Sequence, residues 1–439
     1  MLKAISIFLP VFVIFISCNN DTPSSKNKQP TVDFIKTYGG SKNESGRSII
    51  QTSDNGYAVL GFTQSIDGDV STTKNNIQYD YWLLKFDKND TLQWQKTYGG
   101  SKDDKGYQII ETSDNGFAII GYSKSADGDL NSNEGFEDVW ILKLNNTGNI
   151  LWKTTSGFAG TDQGLSIIQT NDGGFFIGGI LDVTASGGSG NARSAAKHAG
   201  GDYWALKLNT DGAIEWRNYF GGTNTDTCYG ITQTPDGYLM IGSSDSVDVD
   251  IKNNKGSYDF WVIKINKTGT LLWEKSFGGN EIDKARAITT TNDGNFIIIG
   301  DTRSNTKDVT NNNGGADLWA IKITSEGNLI WQKNYGGANF DVGRSINKTS
   351  DGNFLIAGSS RSDNNNITNK GQNDAWLLKI NTNGNQLWQK TIGGTAIDFC
   401  YDAIQLANGN IIAVGESNSS NGDIITNKGF SDLLIIKLK

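Results

Sequence analysis

Short apolar stretches alternate with polar turns along the chain. Between residues 106 and 155 the apolar stretches read GYQIIET, GFAIIGYS, DVWILKLN and NILWKTT, and the turns within two of the pairs contain Asp-Asn-Gly and Asn-Thr-Gly-Asn. Stretches of this length bounded by Gly, Asn and Asp predict β-strands joined by tight hairpins. The strands are apolar at nearly every position, so the sequence predicts four-stranded sheets that are buried on both faces.

The four-strand unit recurs seven times with a period of about 58 residues, which is typical of a repeat architecture. Two series of Trp mark the units and account for all twelve Trp of the chain. The first series is Trp82, Trp140, Trp204, Trp261, Trp319 and Trp376, and the second is Trp94, Trp152, Trp216, Trp273, Trp331 and Trp388. In the seventh unit Leu434 replaces the first Trp, and Lys439 is reached before the second.

The missing strand of the seventh unit has a counterpart at the other end of the repeats. VDFIKTYGG at 32–40 matches LQWQKTYGG at 92–100, with Phe34 in place of Trp94. We therefore predict an all-β fold over residues 32–439: a seven-bladed β-propeller of four-stranded blades, closed by the N-terminal strand completing the last blade. Closure of this kind leaves no blade without its outer strand, which removes an aggregation hazard.

The connections between strands predict two different faces. If the strand after each Gly-Gly pair is innermost, the tight hairpins lie on one face, here called the tight-turn face. The Gly-Gly loops and the long loops before each Asp-x-Trp then lie on the other, here called the long-loop face. The long loops hold most of the length variation. Because functional residues concentrate on variable loops held by a rigid frame, we expect the binding site on the long-loop face.

An acidic residue follows nearly every Gly-Gly pair by four positions. The set is Glu44, Asp104, Asp162, Asp226, Asp283, Asp341 and Asp398, of which Asp162 stands in the irregular third unit. Because every unit carries one, we expect these acids to cap their own loops and to pair with neighbouring blades.

The position three residues after each acid varies between units. It holds Arg47, Tyr107, Leu165, Tyr229, Arg286, Arg344 and Tyr401, while its neighbours stay nearly fixed. A side chain needed only for folding should recur in each unit, so the six Arg and Tyr residues are the predicted ligand-binding residues at the channel mouth. Arg would grip anionic groups, and Tyr would stack on sugars or peptide.

Other residues are interpreted as structural. Cys228 and Cys400 occupy one small-residue slot far apart on the ring, so they are predicted to be buried thiols without a disulfide. The Asp of each Asp-x-Trp and the Lys three residues after each Trp position are expected to form strand-entry hydrogen bonds and inter-blade ion pairs. His198, in a Gly-rich insertion, is expected to be solvated. SIDGDV at 65–70 resembles a calcium loop, but later units lose its oxygen ligands, so Asx-turns are favoured.

The N-terminus predicts export. Residues 1–17, MLKAISIFLPVFVIFIS, have the layout of a signal peptide. FISC resembles a bacterial lipobox in which Cys18 receives the lipid, and residues 18–31 would form a lipidated flexible tether. We therefore expect an exported protein anchored to the cell envelope, at the outer membrane, which touches the membrane through this anchor alone. We expect it to be a monomer.

Charge and residue content bear on function. The net charge is -8 with one His, and no cluster of Lys and Arg suits nucleic acid, so that partner is not predicted. Catalysis needs an asymmetric constellation such as a nucleophile beside a base, and the repeats contain none. No catalytic residue, metal ligand or cofactor is predicted.

The recurring Gly-Gly, Asp-x-Trp and Gly-x-x-x-Trp elements resemble Gly- and Trp-rich propeller lipoproteins of Bacteroidota envelopes. NNTGNILW at 145–152 is similar to quinoprotein-like propeller repeats, including outer-membrane assembly lipoproteins, and DGNFLIAG at 351–358 is similar to bulb-type lectin repeats. These resemblances imply a binding module for a glycan or an envelope protein. The alternatives are a structural scaffold in envelope or outer-membrane assembly and, third, a glycosidase that uses two of the repeated carboxylates.

Overall fold

The computed structural model describes residues 29–71, 78–189 and 198–439. The predicted signal peptide, the lipid-attachment residue Cys18 and most of the predicted tether lie outside these ranges. The described residues form strands β1 to β28 and one short helix, α1 (Val183–Ser186). The fold is therefore all-β, as predicted.

The strands form seven sheets of four. Blade 1 contains β2 (Glu44–Gln51), β3 (Tyr57–Thr63), β4 (Asp80–Phe86) and β5 (Leu92–Tyr98). Blade 2 contains β6 (Asp104–Glu111), β7 (Phe117–Ser123), β8 (Asp138–Leu144) and β9 (Ile150–Ser156). Blade 3 contains β10 (Gln163–Gln169), β11 (Phe175–Asp182), β12 (Gly201–Leu208) and β13 (Ile214–Phe220). Blades 4 and 5 contain β14 (Asp226–Thr234), β15 (Gly237–Ser244), β16 (Asp259–Asn266), β17 (Leu271–Phe277); and β18 (Asp283–Thr290), β19 (Phe296–Thr302), β20 (Asp317–Ile323), β21 (Leu329–Tyr335). Blades 6 and 7 contain β22 (Asp341–Lys348), β23 (Phe354–Ser360), β24 (Asp374–Ile380), β25 (Gln386–Ile392); and β26 (Asp398–Gln405), β27 (Ile411–Ser417), β28 (Asp432–Leu438), β1 (Val32–Tyr38).

The ring is closed by its first strand. β1 pairs antiparallel with β28, from Val32 opposite Leu438 to Tyr38 opposite Leu433. The sheet order is β1-β28-β27-β26, so β1 is the outermost strand of blade 7. The predicted seven-bladed propeller and its closure by the N-terminal strand are confirmed.

The core lies between the blades. In the middle strands almost every side chain is buried, and β3, β4, β7 and β8 are buried at each position. The first Trp series is at most 1 % exposed, and Leu434, which replaces it in blade 7, is fully buried. Each sheet thus buries both faces against its neighbours, which explains strands without polar alternation.

The second Trp series joins adjacent blades. Trp152 of blade 2 lies over Gly212 in the last tight turn of blade 3, where a Cβ atom would lie 2.6 Å from the indole ring. Its Nε1 donates a hydrogen bond to the Thr210 carbonyl at 3.2 Å. Trp216 contacts Gly269 in the same way. In the Gly-x-x-x-Trp element of blade 3 the Gly therefore contacts the Trp of the preceding blade. The Trp of the same element contacts the Gly of the following blade.

The repeated Lys residues correct one prediction. Lys85 lies 2.8 Å from Asp54, which stands in the first tight hairpin of the same blade, and Lys322 reaches Asp293 likewise at 2.7 Å. These ion pairs are therefore within a blade, because the hairpin Asp lies beside the third strand of its own sheet. Blade 7 is different, since Lys437 contacts Asp90 of blade 1.

Two further structural predictions have different outcomes. Cys228 and Cys400 are fully buried and unpaired, as predicted. His198 is not solvated: its side chain is buried, its Nδ1 lies 2.6 Å from Asp202 Oδ2, and its ring packs edge-on against Tyr219. In other blades the matching Asp accepts a backbone N–H instead, as Asp138 does from Glu134. In blade 3 the His198 imidazole lies against the matching carboxyl, that of Asp202.

Candidate functional site

The repeated acids cap their own loops. Asp104 is fully buried, and its Oδ2 accepts a hydrogen bond from the Gly100 N–H at 2.7 Å and from the Ser125 hydroxyl at 2.9 Å. All seven acids accept from the N–H four residues earlier: Glu44, Asp104, Asp162, Asp226, Asp283, Asp341 and Asp398. Their carboxylates are held within the loops, in keeping with the expected structural role.

Each loop acid also meets the Asp of the preceding Asp-x-Trp. At Gly278 an added Cβ atom would lie 2.2 Å from Asp259 Oδ1 and 2.6 Å from Asp283 Oδ2, so the two carboxyl groups converge there. Burial and, to a smaller extent, the charge of Asp283 raise the pKa of Asp259 to about 7, against the hydrogen bond from the backbone N–H of Lys255, which lowers it. Burial is likewise the largest cause of raised pKa values at Asp162, Asp226, Asp317 and Asp374, to about 7, 8, 6 and 6.

These paired carboxyls give stability a pH dependence. Their folded-state pKa values lie above the unfolded value, so the folded protein binds more protons between about pH 4 and 8, and stability increases as pH falls through that window. We expect the free energy of unfolding to be at least about 2 kcal/mol larger at pH 5 than at pH 8, measured by urea unfolding at constant ionic strength. Asp259→Asn should flatten this slope; a stability that rises toward pH 8 would contradict the paired-carboxyl description.

Stability should fall again in stronger acid. Partial burial raises the pKa of Asp54, but the hydrogen bonds from Lys85, Thr52 and Gly56 together outweigh it and lower the pKa to about 2. Asp114, bonded by Lys143 in the same way, also has a pKa lowered to about 2. A carboxylate with a lowered folded pKa stabilises the fold above its unfolded pKa, and this stabilisation is lost as pH falls toward the folded value. The optimum should therefore lie between about pH 4 and 6.

A β-bulge in every innermost strand creates the channel-lining position. In blade 1 the register with β3 shifts between Gly46 and Ser48, which leaves Arg47 as the extra residue. The same shift occurs at the corresponding position of the other six blades. Bulges re-aim a side chain, so the variable position found in the sequence is the bulged residue of each blade.

A Gly in the second strand makes the bulge possible. Opposite it, a Cβ atom at Gly61 would lie 1.7 Å from the Ser45 carbonyl oxygen. The equivalent glycines, with the same backbone contact at 1.7–1.9 Å, are Gly61, Gly121, Gly179, Gly242, Gly300, Gly358 and Gly415. No other residue fits where the bulged backbone comes this close.

The seven bulge residues meet around the central channel. We call them the channel ring: Arg47, Tyr107, Leu165, Tyr229, Arg286, Arg344 and Tyr401. All seven line a cavity of about 460 Å³ that also contacts Thr161, Gln163 and Thr227 near the long-loop face. All seven also line a second cavity of about 200 Å³ that continues toward Asn347 and Asp402. The ring therefore lies at the boundary between two parts of one channel, and it includes every predicted ligand-binding residue.

The ring is chemically polarised. Blades 5, 6, 7 and 1 contribute Arg286, Arg344, Tyr401 and Arg47, which we call the cationic arc. Arg47 stacks on Tyr401 at 3.8 Å from the ring centroid, and Arg344 stacks on the same ring at 4.8 Å. Blades 2, 3 and 4 contribute the uncharged arc of Tyr107, Leu165 and Tyr229. Burial raises the pKa of Tyr107 and Tyr401 to about 12, so both phenols are neutral and can donate hydrogen bonds at physiological pH.

Two acids behind the ring were missed by the sequence reasoning. Asp301 Oδ1 lies 2.9 Å from Arg286 Nε. Glu416 accepts a hydrogen bond from the Tyr401 hydroxyl at 2.9 Å and lies 3.5 Å from Arg47 Nη2. Both stand directly after the bulge Gly of the second strand, where the five other blades have Phe62, Tyr122, Ile180, Ser243 and Ser359. An acid at this otherwise uncharged position was the available signal.

Other kinds of site are not found in the described ranges. Within them no three His, Cys, Asp or Glu side chains are grouped so that they could hold a metal ion. Asp67 and Asp69 of the SIDGDV loop accept hydrogen bonds from the backbone N–H of Ser41 and Gly39. Of the helices in the same ranges, none has the length and apolar character needed to cross a membrane.

Comparison with known proteins finds only remote similarity. No protein-family model matches the chain, and no curated protein does. A Bacteroides caccae protein of unknown function is 14 % identical over 62 % of this chain and 78 % of its own, with a TM-score of 0.36. Sqt1 from Chaetomium thermophilum is 10 % identical over 88 % of this chain and 83 % of its own, with a TM-score of 0.44. A luciferin-regenerating enzyme is 10 % identical over 94 % of this chain and 95 % of its own, with a TM-score of 0.36. Similarities this remote carry no argument about activity.

Proposed function

We propose that this protein is a lipid-anchored binding module of the cell envelope, without catalytic activity, whose channel ring receives a glycan or protein ligand. One observation carries the proposal. In a frame that repeats its core, turns and loop acids in all seven blades, the position aimed into the channel differs from blade to blade. A cavity of about 460 Å³ with a few convergent polar groups is in the range of small-ligand sites.

The described end of the predicted tether, residues 29–31, lies at the tight-turn face of the propeller. Gln29 donates a hydrogen bond to the Gln389 carbonyl, and residues 29–31 lie beside Asp351 and Gly409, both in tight hairpins. β1 therefore starts at the tight-turn face and ends at the long-loop face. If Cys18 carries the lipid, the tether joins the propeller on the face opposite the opening of the larger cavity.

The position of the carboxylates supports binding over hydrolysis. A glycosidase needs two carboxyl groups that flank the bond to be cleaved. The loop acids are at most 1 % exposed and are used by backbone donors. Near the ring, Asp301 and Glu416 are engaged by Arg286 and Tyr401. The proposal therefore contains no catalytic residue.

Exposed apolar side chains favour a second candidate, a scaffold in envelope assembly. Phe136, Val247, Ile425 and Phe430 are 61–80 % exposed, and all four stand in the connections before Asp-x-Trp strands. Exposed apolar residues gathered on one face are typical of protein contact sites. A scaffold would bind its partner through this rim, whereas a channel-binding module would use the ring.

A cross-linked pulldown with two variants tests the proposal. In the leucine-ring variant, Tyr107, Tyr229 and Arg344 are changed to Leu, the residue already present at Leu165. In the rim variant, Phe136 and Phe430 are changed to Ser. We expect the leucine-ring variant to lose the captured partner and the rim variant to keep it, with both melting near wild type. Loss in the rim variant alone would favour the scaffold, and retention in the leucine-ring variant would overturn channel binding.

Lipid attachment at Cys18 is tested separately. Cys18→Ser is expected to move the protein from the membrane fraction to the soluble fraction, because the proposal gives it no other membrane attachment. Fractionation of cells followed by immunoblotting measures the change, with Cys400→Ser as a control that keeps its anchor. A Cys18→Ser protein that stays with the membranes would contradict the anchor.

A further inference from the structure

Arg344 is the Arg of the channel ring that has no acidic partner among the described residues. Arg286 is paired with Asp301 and Arg47 with Glu416, but Arg344 forms no ion pair with any described residue. Its Nε is buried and lacks a hydrogen-bond partner among the same residues. Its guanidinium contacts the rings of Phe399 and Tyr401, at 5.3 and 4.8 Å from their centroids. Arg47 Nε is also unbonded, yet Glu416 compensates the charge of that side chain.

A guanidinium without an ion-pair partner in a narrow channel is costly. Burial lowers the pKa of Arg344, and the charges of Arg286 and Arg47 lower it further, although Tyr401 and the more distant Asp301 act in the opposite direction. Such a charge is stabilised when an acceptor of opposite charge is brought to it. A ligand that enters the larger cavity reaches the ring directly, and a carboxylate matches the planar fork of the guanidinium.

The opposite side of the ring suits a sugar. Tyr107, Leu165 and Tyr229 present two phenols and an aliphatic side chain about the same cavity. Thr161, Gln163 and Thr227 add hydroxyl and amide groups on the side toward the long-loop face. Flat apolar surface beside a few hydrogen-bonding groups fits a molecule with an apolar ring face and several hydroxyls.

The shape of the channel limits the ligand to a narrow end group. Past the ring the cavity shrinks to about 200 Å³ and meets the Asp402 carboxyl, which accepts hydrogen bonds from Ile49 N–H and Asn347 Nδ2 at 3.0 Å. Burial raises the pKa of Asp402, and its oxygens already accept these hydrogen bonds, so the carboxyl offers no donor to an anionic group and the narrowing holds that group at the ring. Protein partners commonly bury about 1,200 Å² or more across broad surfaces, which a cavity of this form does not provide.

We infer that the channel binds the terminal acidic sugar of a glycan, with the sugar carboxylate on Arg344 and the sugar ring against the uncharged arc. The inference rests on the proposed function and adds the class of ligand. In this inference the two arcs of the ring contact different parts of the ligand. The cationic arc recognises the acid, and the uncharged arc excludes water and positions the ring.

Calorimetric titration of the full-length protein in detergent micelles tests the inference. The probes are digalacturonate, its neutral counterpart digalactose, triglutamate and inorganic phosphate. We expect digalacturonate to bind at least about tenfold more tightly than each of the others. Arg344→Gln should remove this preference without lowering the melting temperature, since no described acid loses a partner. Arg303→Gln is the matched control: Arg303 stacks on Phe340 outside the ring, and the preference should persist.

Each alternative outcome has a separate meaning. Equal binding of digalactose, or an unchanged preference in Arg344→Gln, overturns the acidic sugar, while channel binding still stands if the leucine-ring variant loses the pulldown partner. Tighter binding of triglutamate would overturn the acidic sugar as the ligand and indicate an acidic peptide. Equal binding of phosphate shows an adventitious ion only. Failure of all four probes to bind also overturns the inference, and the pulldown then decides whether the proposed function fails with it.

Discussion

Deletion of residues 32–40 is expected to produce a protein that aggregates or melts at least about 10 °C below wild type. β1 is the outer strand of blade 7, so its removal exposes the edge of β28. It also removes Phe34 and Tyr38 from the interface of blades 7 and 1, where Tyr38 packs edge-on against Phe86 at 5.5 Å between ring centroids. Both the pairing and the closure of the ring are lost together.

Thermal melting and size-exclusion chromatography measure this effect. Deletion of residues 19–28 is the control, because it shortens the chain ahead of β1 and leaves the β1–β28 pairing in place. We expect the control to be monodisperse and to melt like wild type. A 32–40 deletion that is equally monodisperse and stable would mean that β1 does not close the ring.

Gly242→Ala is expected to destabilise the protein by about 1–3 kcal/mol. Gly242 is the bulge Gly of blade 4, and a Cβ atom there would lie 1.8 Å from the Thr227 carbonyl oxygen. Relief of that contact requires the bulge to move, and Tyr229 would move with it. The substitution should therefore also weaken ligand binding, although Gly242 does not line the cavity.

Gly230→Ala is the matched control in the same blade. Its Cβ atom would meet the end of the Ile241 side chain at 3.1 Å, which can shift by a few tenths of an ångström. We expect it to cost less than about 1 kcal/mol in urea unfolding. Equal effects of the two substitutions would show that the bulge is not held by the close backbone contact.

The fold could be predicted from the sequence because each blade repeats the same local signals. Tight-turn Gly residues fix the hairpins, and two Trp per unit mark the third and fourth strands. The match between 32–40 and 92–100 was enough to predict closure. The prediction for His198 was wrong because a lone His in an insertion gives no sign that its ring contacts Asp202, four residues on, and packs against Tyr219.

The site could be predicted only in part. Variation between blades identified the ring, but nothing in the sequence distinguishes the roles of its three Arg residues. The structure separates them, since Arg286 and Arg47 have acidic partners on second strands and Arg344 has none among the described residues. Whether Asp301 faces Arg286 depends on a register shift of one residue at the bulge, and periodicity alone does not reveal such a shift.

Site-specific photo-cross-linking in cells tests the central claim most directly, namely that the channel ring is the binding site. A photoreactive amino acid replaces Leu165 in the ring or, as the comparison, Asn89 in an exposed turn on the tight-turn face. We predict that the probe at residue 165 forms an adduct with an envelope component and that the probe at residue 89 does not. An adduct from residue 89, with none from residue 165, would contradict the account.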